Sequence, residues 1–432
     1  MTTPRMLVVL AALACCALPL VADDWPQFRG PNRDDVSKEK GLLQAWPKDG
    51  PKLLWTFEDA GVGYSGPAIV GDQLFLTGGR KGDEYLFALD LKVSPPKEQW
   101  KVKLGKTFTF KGNSWGDGPR STPTVDGDYV YALAAFGEMV CVNKATGEER
   151  WRVNFPKDLE GEVNPEIGGP KNLGWGWSWA PLIDGDKLIC MPGGPKGTLA
   201  ALDKTNGKVL WRSAKLTEQA SYSSPIVAEI GKVRQYIILT NGGLAGIGAE
   251  KGELLWSYEK KNKDVVITTP IFHDDHVYYS FFYGNLGCDL VKVSADAGKF
   301  NATSAYDNDD MQTKTGGNVL VGNAVYGSSG PGWTCMDFKT GKVNWTKKRK
   351  LGPGSLTCAD GFLYCYDEDR GTVALVEADP AKVWSEKGRF DLPKKAEHAP
   401  NGKFWTHPVV ANGRLYLRDQ ELLFCYDVKA PK

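Results

Sequence analysis

Apolar and polar side chains alternate through residues 123–135, interrupted at Asp126-Gly127-Asp128. A period of two on both sides of a tight turn predicts a β-hairpin and not a helix. Val140-Cys141-Val142 predicts a third strand, and Ala145-Thr146-Gly147 turns the chain into a fourth that carries Trp151. Residues 121–151 therefore read as one module, and most of the chain repeats it.

Eight stretches open in the same way: Ser65-Gly66-Pro67, Ser121-Thr122-Pro123, Trp179-Ala180-Pro181, Ser223-Ser224-Pro225, Thr268-Thr269-Pro270, Gly316-Gly317-Asn318, Gly354-Ser355-Leu356 and Thr406-His407-Pro408. The second halves share the spacing small-x-Asp-x-x-x-Gly-x-x-x-Trp. Ala201, Asp203, Gly207 and Trp211 fit it, as do Cys335, Asp337, Gly341 and Trp345. Cys141, Asn143, Gly147 and Trp151 fit with one change, and Gly246, Gly252 and Trp256 with Gly248 at the acidic place. Three copies depart from the pattern. The first ends at Trp100 after two extra residues, the fifth has Ala302 in place of Trp, and the seventh ends at Trp384 with Pro380 at the Gly place.

The eighth module reaches the C-terminus without a Trp, while Lys52-Leu53-Leu54-Trp55 resembles a last strand lacking its beginning. An end completed from the start predicts a closed ring. The expected fold is all-β: an eight-bladed β-propeller of four-stranded antiparallel blades, the last closed by an N-terminal strand. It would occupy residues 51–432, after a signal peptide at 1–22 and an extended segment at 23–50. The stretch WPQFRGPNRD (25–34) is too rich in Pro and Gly for a helix. It is expected on the outside of the body, anchored by Trp25 and Phe28.

Composition agrees with a large globular fold: 42% hydrophobic, 24% charged, with 50 Gly, 26 Pro and 15 Trp for turns and a recurring aromatic. A net charge of +1 with mixed signs gives no support to nucleic-acid binding, which requires a basic face. Arg5, the apolar run 6–15 and Leu20-Val21-Ala22 predict export, with cleavage after Ala22 into the periplasm or medium. The run is too short to span a membrane. A lipoprotein reading through Cys15 or Cys16 fits an acylation site less well. Seven cysteines remain. Cys141, Cys335 and Cys425 take one module position, where Ala88, Ala201 and Gly246 stand elsewhere, which predicts free, buried thiols in place of a disulfide framework.

The spacing resembles the tryptophan-docking repeat of the PQQ-type eight-bladed propellers, a superfamily that includes quinoprotein alcohol dehydrogenases and the outer-membrane assembly lipoprotein BamB. WPQFRGPNRD and Trp405-Thr406-His407-Pro408 resemble a group of secreted bacterial PQQ-like repeat proteins within it. A repeat specifies a scaffold and leaves the site open. The resemblance implies three functions: a non-catalytic binding or scaffold ring, a PQQ-dependent alcohol or sugar dehydrogenase, or a BamB-like assembly scaffold with a lipidated N-terminus.

The repeat Trps are expected to dock blade on blade. Trp115, Trp175, Trp177, Trp179, Trp333 and Trp405 lie instead in loops that enter blades, where aromatics stack on a planar ligand or sugar ring. The run 174–179 could equally plug the channel. The candidate ligand site at the funnel mouth is Trp115, Arg120, Trp175, Trp177, Trp179, Tyr222 and His407, for a protein, small-molecule or glycan partner of a monomer. Hydroxyls at Ser65, Ser121, Thr122, Ser223, Ser224, Thr268, Thr269 and Ser355 would add hydrogen bonds.

The resemblance also implies PQQ with Ca²⁺, but the ring before each opening holds no Asp or Glu to ligate the metal or abstract a proton. Asp117, Glu166 and Asp307 to Asp310 are the loop carboxylates that could supply them. The mature chain also lacks the adjacent cysteine pair that stacks on PQQ in the alcohol dehydrogenases. His273 and His276 fall on a hairpin turn, and no metal or catalytic constellation is expected.

Overall fold

The computed structural model describes residues 24–164, 174–315, 317–330, 332–348 and 351–431; the signal-peptide reading lies outside them. The module around Tyr131 forms one antiparallel sheet from Thr124–Asp126, Tyr129–Leu133, Glu138–Asn143 and Glu149–Asn154. Seven further sheets repeat this order, giving eight blades. Each blade buries both faces against its neighbours, so the core lies between sheets. Ala68, Phe75 and Ala88 of blade 1, for example, join Val125, Val130 and Val140 of blade 2 in one buried cluster. No helix among the described residues is long and apolar enough to cross a membrane.

The repeat spacing now has a mechanical reason. Trp151 stands opposite Cys141 across the strand pair, as Trp211 stands opposite Ala201, Trp345 opposite Cys335 and Trp256 opposite Gly246. A small side chain there leaves room for the indole. The Trp151 indole N–H donates to the Lys204 carbonyl of the next blade at 2.9 Å, and Trp100 donates to Lys144 at 3.0 Å. The ring lies over the next blade's Gly: a Cβ on Gly207 would stand 2.8 Å from Trp151. That Gly also needs φ +74°, and Asp203 closes the same turn by accepting from the Thr205 amide at 2.7 Å.

Two irregular blades solve the problem differently. In blade 5 the Tyr306 ring, four residues beyond Ala302, covers Gly341. In blade 7 Trp384 sits in a turn at φ +45°, before the strand Glu386–Asp391, and packs backward on Trp345 and Trp333 of blade 6. Trp384 is therefore not a forward-docking Trp as its spacing suggested.

Lys52–Phe57 pairs antiparallel with Leu422–Asp427 and puts Trp55 opposite Cys425, closing blade 8 from the N-terminus. All seven cysteines of the described chain are buried and free. Burial pushes the thiols of Cys141 and Cys425 up to about 12, which leaves them unreactive near neutral pH. His273 and His276 flank the turn Asp274-Asp275, as expected of a hairpin.

The segment at 24–37 departs from expectation. It does not lie on the outside; it runs into the central channel. Trp25 pairs with Ile69 on the opening strand of blade 1, and the Val125 amide donates to the Pro26 carbonyl. Val36–Ser37 returns as a parallel strand against Cys358 and Ala359, at the inner edge of blade 7. Between them the chain reverses with Arg29, Gly30, Arg33 and Asp35 at positive φ. An apolar outer surface could not hold this turn, because its charges need buried partners. The channel walls supply them.

Candidate functional site

The tip of this reversal forms the floor of the funnel. Arg29 and Asp35 are fully buried and paired at 3.2 Å. Asp35 Oδ2 also meets His407 Nδ1 at 3.0 Å, and His407 Nε2 faces the Thr315 carbonyl at 3.1 Å. Arg29 donates to the Asn318 carbonyl at 2.6 Å, while Arg33 donates to those of Ala180 and Pro181. Arg33 is held well below the usual guanidinium range, to about 9, first by burial and then by the charge of Arg29. One short loop thus ties blades 1, 2, 3, 6, 7 and 8 together.

Above the floor is a cavity of ≈ 210 Å³. Of the seven predicted site residues, Trp115, Arg120, Trp175, Tyr222 and His407 line it. Trp177 and Trp179 do not. Trp177 is 2% exposed and donates to the Pro192 carbonyl, and Trp179 stacks on Phe155 in the core between blades 2 and 3. The run 174–179 therefore neither plugs the channel nor faces a ligand as a unit. Tyr64, Tyr283, Phe28 and Asp35 complete the wall and were missed as site residues, and Trp405, singled out as a loop aromatic but left off the candidate site, joins them. Only a charged pair inside a Pro- and Gly-rich stretch hinted at Asp35.

Arg120 donates to the carbonyls of Gly118 and Gly116, and its guanidinium lies over the rings of Tyr64, Phe108 and Trp175 at 5.3, 5.1 and 5.7 Å. The Tyr64 hydroxyl donates to the Trp115 carbonyl; that of Tyr222 donates to Asn164 and accepts from the Trp175 amide. Glu368, 2% exposed, holds the Trp405 indole N–H at 3.1 Å and Lys314 at 2.7 Å. The aromatic wall is thus fixed from behind.

Much of the hydroxyl ring is engaged within the protein, although Thr122 and Ser224 line the cavity and Ser121 Oγ is buried without a partner. Ser223 donates to the Thr268 carbonyl and Ser355 to that of Thr406, while Thr122 and Ser224 accept from the amides of Gly66 and Ala180. These groups stitch neighbouring blades.

His398 braces the loop that leads to Trp405, meeting Asp419 at 2.5 Å. Burial lowers its pKa, but the hydrogen bond and charge of Asp419 outweigh that and leave it raised above 6.5. A raised folded value means this brace contributes fully below the unfolded value of 6.5 and fades as pH rises through the folded one. The stability difference between wild type and His398→Gln, followed by urea unfolding against pH, should therefore shrink on the alkaline side. A difference that grows with pH would reject the pairing.

The donor set does not fit calcium-bound PQQ. Asp35 is the carboxylate that lines the cavity, and it is already shared by Arg29 and His407. Asp117 accepts from Asn113, Asp307 pairs with Lys260, and Glu84 behind Arg120 accepts the amides of Phe108 and Ala135. Glu166 lies outside the described residues. Among the described residues no three His, Cys, Asp or Glu converge as metal ligands, whereas Ca²⁺ takes about six to eight oxygens.

The blades, their tryptophan docking and the N-terminal closure define a PQQ-like β-propeller. The family model described as "Outer membrane protein assembly factor BamB" matches residues 91–347 and 289–386, and the chain belongs to that family. The outer membrane protein assembly factor BamB of Shewanella oneidensis is 24% identical over 320 residues, 68% of this chain and 75% of that protein. Lupanine 17-hydroxylase [cytochrome c] of Pseudomonas sp is 28% identical over 204 residues, 45% of this chain but 27% of that enzyme. Among solved structures, BamB from Moraxella catarrhalis superposes with TM-score 0.58 at 16% identity, covering 87% of this chain and 99% of that one. The quinohemoprotein alcohol dehydrogenase of Comamonas testosteroni gives 0.59 at 12%, covering 95% and 81%. At these identities the structures share a fold.

Proposed function

We propose that this protein is an exported, non-catalytic propeller of the assembly-factor type, a rigid ring that holds a partner at the funnel mouth. The observation that carries this reading is the commitment of the mouth's polar groups. Most of the hydroxyl ring, the hydroxyls of Tyr64 and Tyr222, and Glu368 are bound to the protein's own backbone or side chains. What remains presented is a fixed concave wall of aromatic rings beside one guanidinium, a surface suited to recognition. Periplasmic or secreted residence is supported by the export signal read at residues 1–22 and by the kinship with outer-membrane assembly factors.

A photo-crosslinking amino acid at Trp115 should capture a partner in the native envelope. The double variant Trp115→Ala/Trp405→Ala should lose that partner, while each change costs only about 1 kcal/mol of stability because both side chains are partly exposed. Trp177→Ala, by contrast, should cost about 3–5 kcal/mol as a core truncation. Unchanged capture by the double variant would reject the mouth as the binding surface.

A further inference from the structure

One buried carboxylate lies at the root of the mouth. Glu84 stands at the start of the third strand of blade 1, Asp83–Asp90, and is 0% exposed. Its two oxygens go to different segments: Oε1 accepts the Phe108 amide at 2.9 Å and Oε2 the Ala135 amide at 3.0 Å. Phe108 forms the neck of the loop 107–120, because its carbonyl also accepts the Gly118 amide at 3.0 Å. Ala135 holds the second mouth loop, since its carbonyl accepts the Trp177 amide at 2.9 Å. A single side chain thus fastens both loops that bring Trp115, Arg120 and Trp175 to the cavity.

Two amides call for two good acceptor oxygens, and only the ionised carboxylate presents both. A proton taken from solvent by either oxygen turns it into a hydroxyl, a poorer acceptor, and weakens the bond to the amide behind it. The charged groups that face Glu84 are Arg120, from the mouth loop, which favours the carboxylate, and Glu138, from blade 2, which favours the acid. Glu138 in turn accepts from Asn154 at 2.8 Å. Asp83, beside Glu84 on its own strand, pairs with Lys103 and Lys106 at 2.8 and 3.0 Å. Burial outweighs the two amides and Arg120 and raises Glu84 to about 7. The fastening therefore changes across neutral pH, where an ordinary carboxylate stays ionised.

We infer that Glu84 is the positioning residue of the funnel mouth: ionised, it fastens the loops 107–120 and 174–179 through the Phe108 and Ala135 amides, and uptake of one proton loosens them. The inference rests on the mouth being a recognition surface and adds its regulation, since Trp115 and Arg120 are held in place for a partner on the alkaline side. The effect on the whole fold has the opposite sign. A carboxyl raised from 4.5 to about 7 contributes stability that is fully present below 4.5 and lost as pH rises through about 7, because only the folded chain buries the charge. Loop order thus rises with pH while this group's contribution to stability falls.

Hydrogen exchange of the full chain against pH, corrected for intrinsic rates and read by mass spectrometry on peptides containing Phe108 and Ala135, tests it. Protection of these amides should rise with pH by about tenfold, the ratio one such hydrogen bond supplies. The step should have its midpoint at about 7. Glu84→Gln keeps the shape but offers one acceptor oxygen, and should show the low protection at every pH. In urea unfolding the same variant should gain on wild type as pH rises from 4.5 to about 7. Should Glu84→Gln fail to fold, Glu84→Asp, too short to reach both amides, should give the same flat, low protection. A flat profile in wild type overturns the inference, as does a step that persists in the variants. Partner capture from Trp115 alongside a flat profile would leave the scaffold reading standing and the Glu84 switch refuted; a step without capture would do the reverse.

Discussion

Asp35→Ala should lose about 3–5 kcal/mol of unfolding free energy. The substitution strips the counter-charge from Arg29, which is fully buried, and one partner from His407. A buried charge that loses its counter-ion costs more than the pair was worth. The loop it stabilises holds four residues at positive φ, three of them not Gly, so its backbone has little stability of its own. Asp35→Asn keeps the shape and some hydrogen bonding but not the charge, and should recover less than half of the loss. Urea unfolding at constant m-value measures both. If both variants stay within about 0.5 kcal/mol of wild type, the loop is not the brace described here.

Trp151→Ala should cost a similar amount, about 3–5 kcal/mol, for a different reason. Its ring is 8% exposed, fills the space between blades 2 and 3, and its N–H satisfies the Lys204 carbonyl. The mate of this prediction is Gly207→Ala, which drives a Cβ to 2.8 Å from the ring at a backbone angle of +74°. Alone it should destabilise by about 1–3 kcal/mol, part of it clash and part backbone strain. In the Trp151→Ala background the clash is gone, so Gly207→Ala should cost measurably less. A double-mutant cycle reads this coupling directly. Strict additivity would mean that ring and glycine do not touch.

The fold was legible because its contacts recur at fixed separations. Cys141 and Trp151, or Ala201 and Trp211, are partners within one strand pair, and the Gly that receives each ring lies one module further on. A regularity of that kind is written into the spacing of the chain. It misled only where another residue took over the job, as Tyr306 does in blade 5, or where the ring turned backward, as Trp384 does. The site was legible in part. Trp115, Trp175 and Trp405 were rightly set apart from the repeat tryptophans, but Trp333 lies on the strand Gly332–Asp337 of blade 6 and is buried in the core between blades 6 and 7. Nothing in the run 174–179 distinguishes Trp175, which faces the cavity, from Trp177 and Trp179, which face the core. Consecutive loop residues share no period that assigns them a side.

What the sequence by itself determined is therefore the ring: eight hairpin-based blades, the small-residue and glycine places that accept each indole, and the strand at 52–57 that closes the last blade. These follow from period-two alternation and from local turn chemistry, both of which act over a few residues. What only the tertiary structure decided is the funnel. Asp35 meets His407 across 372 residues of chain, and Arg29 meets Asn318 across 289. Pairings at such separations leave no local signature. They exist because a closed ring leaves an axial space whose inner strands carry unpaired backbone and side-chain partners, and the charged N-terminal loop can be buried there and nowhere else.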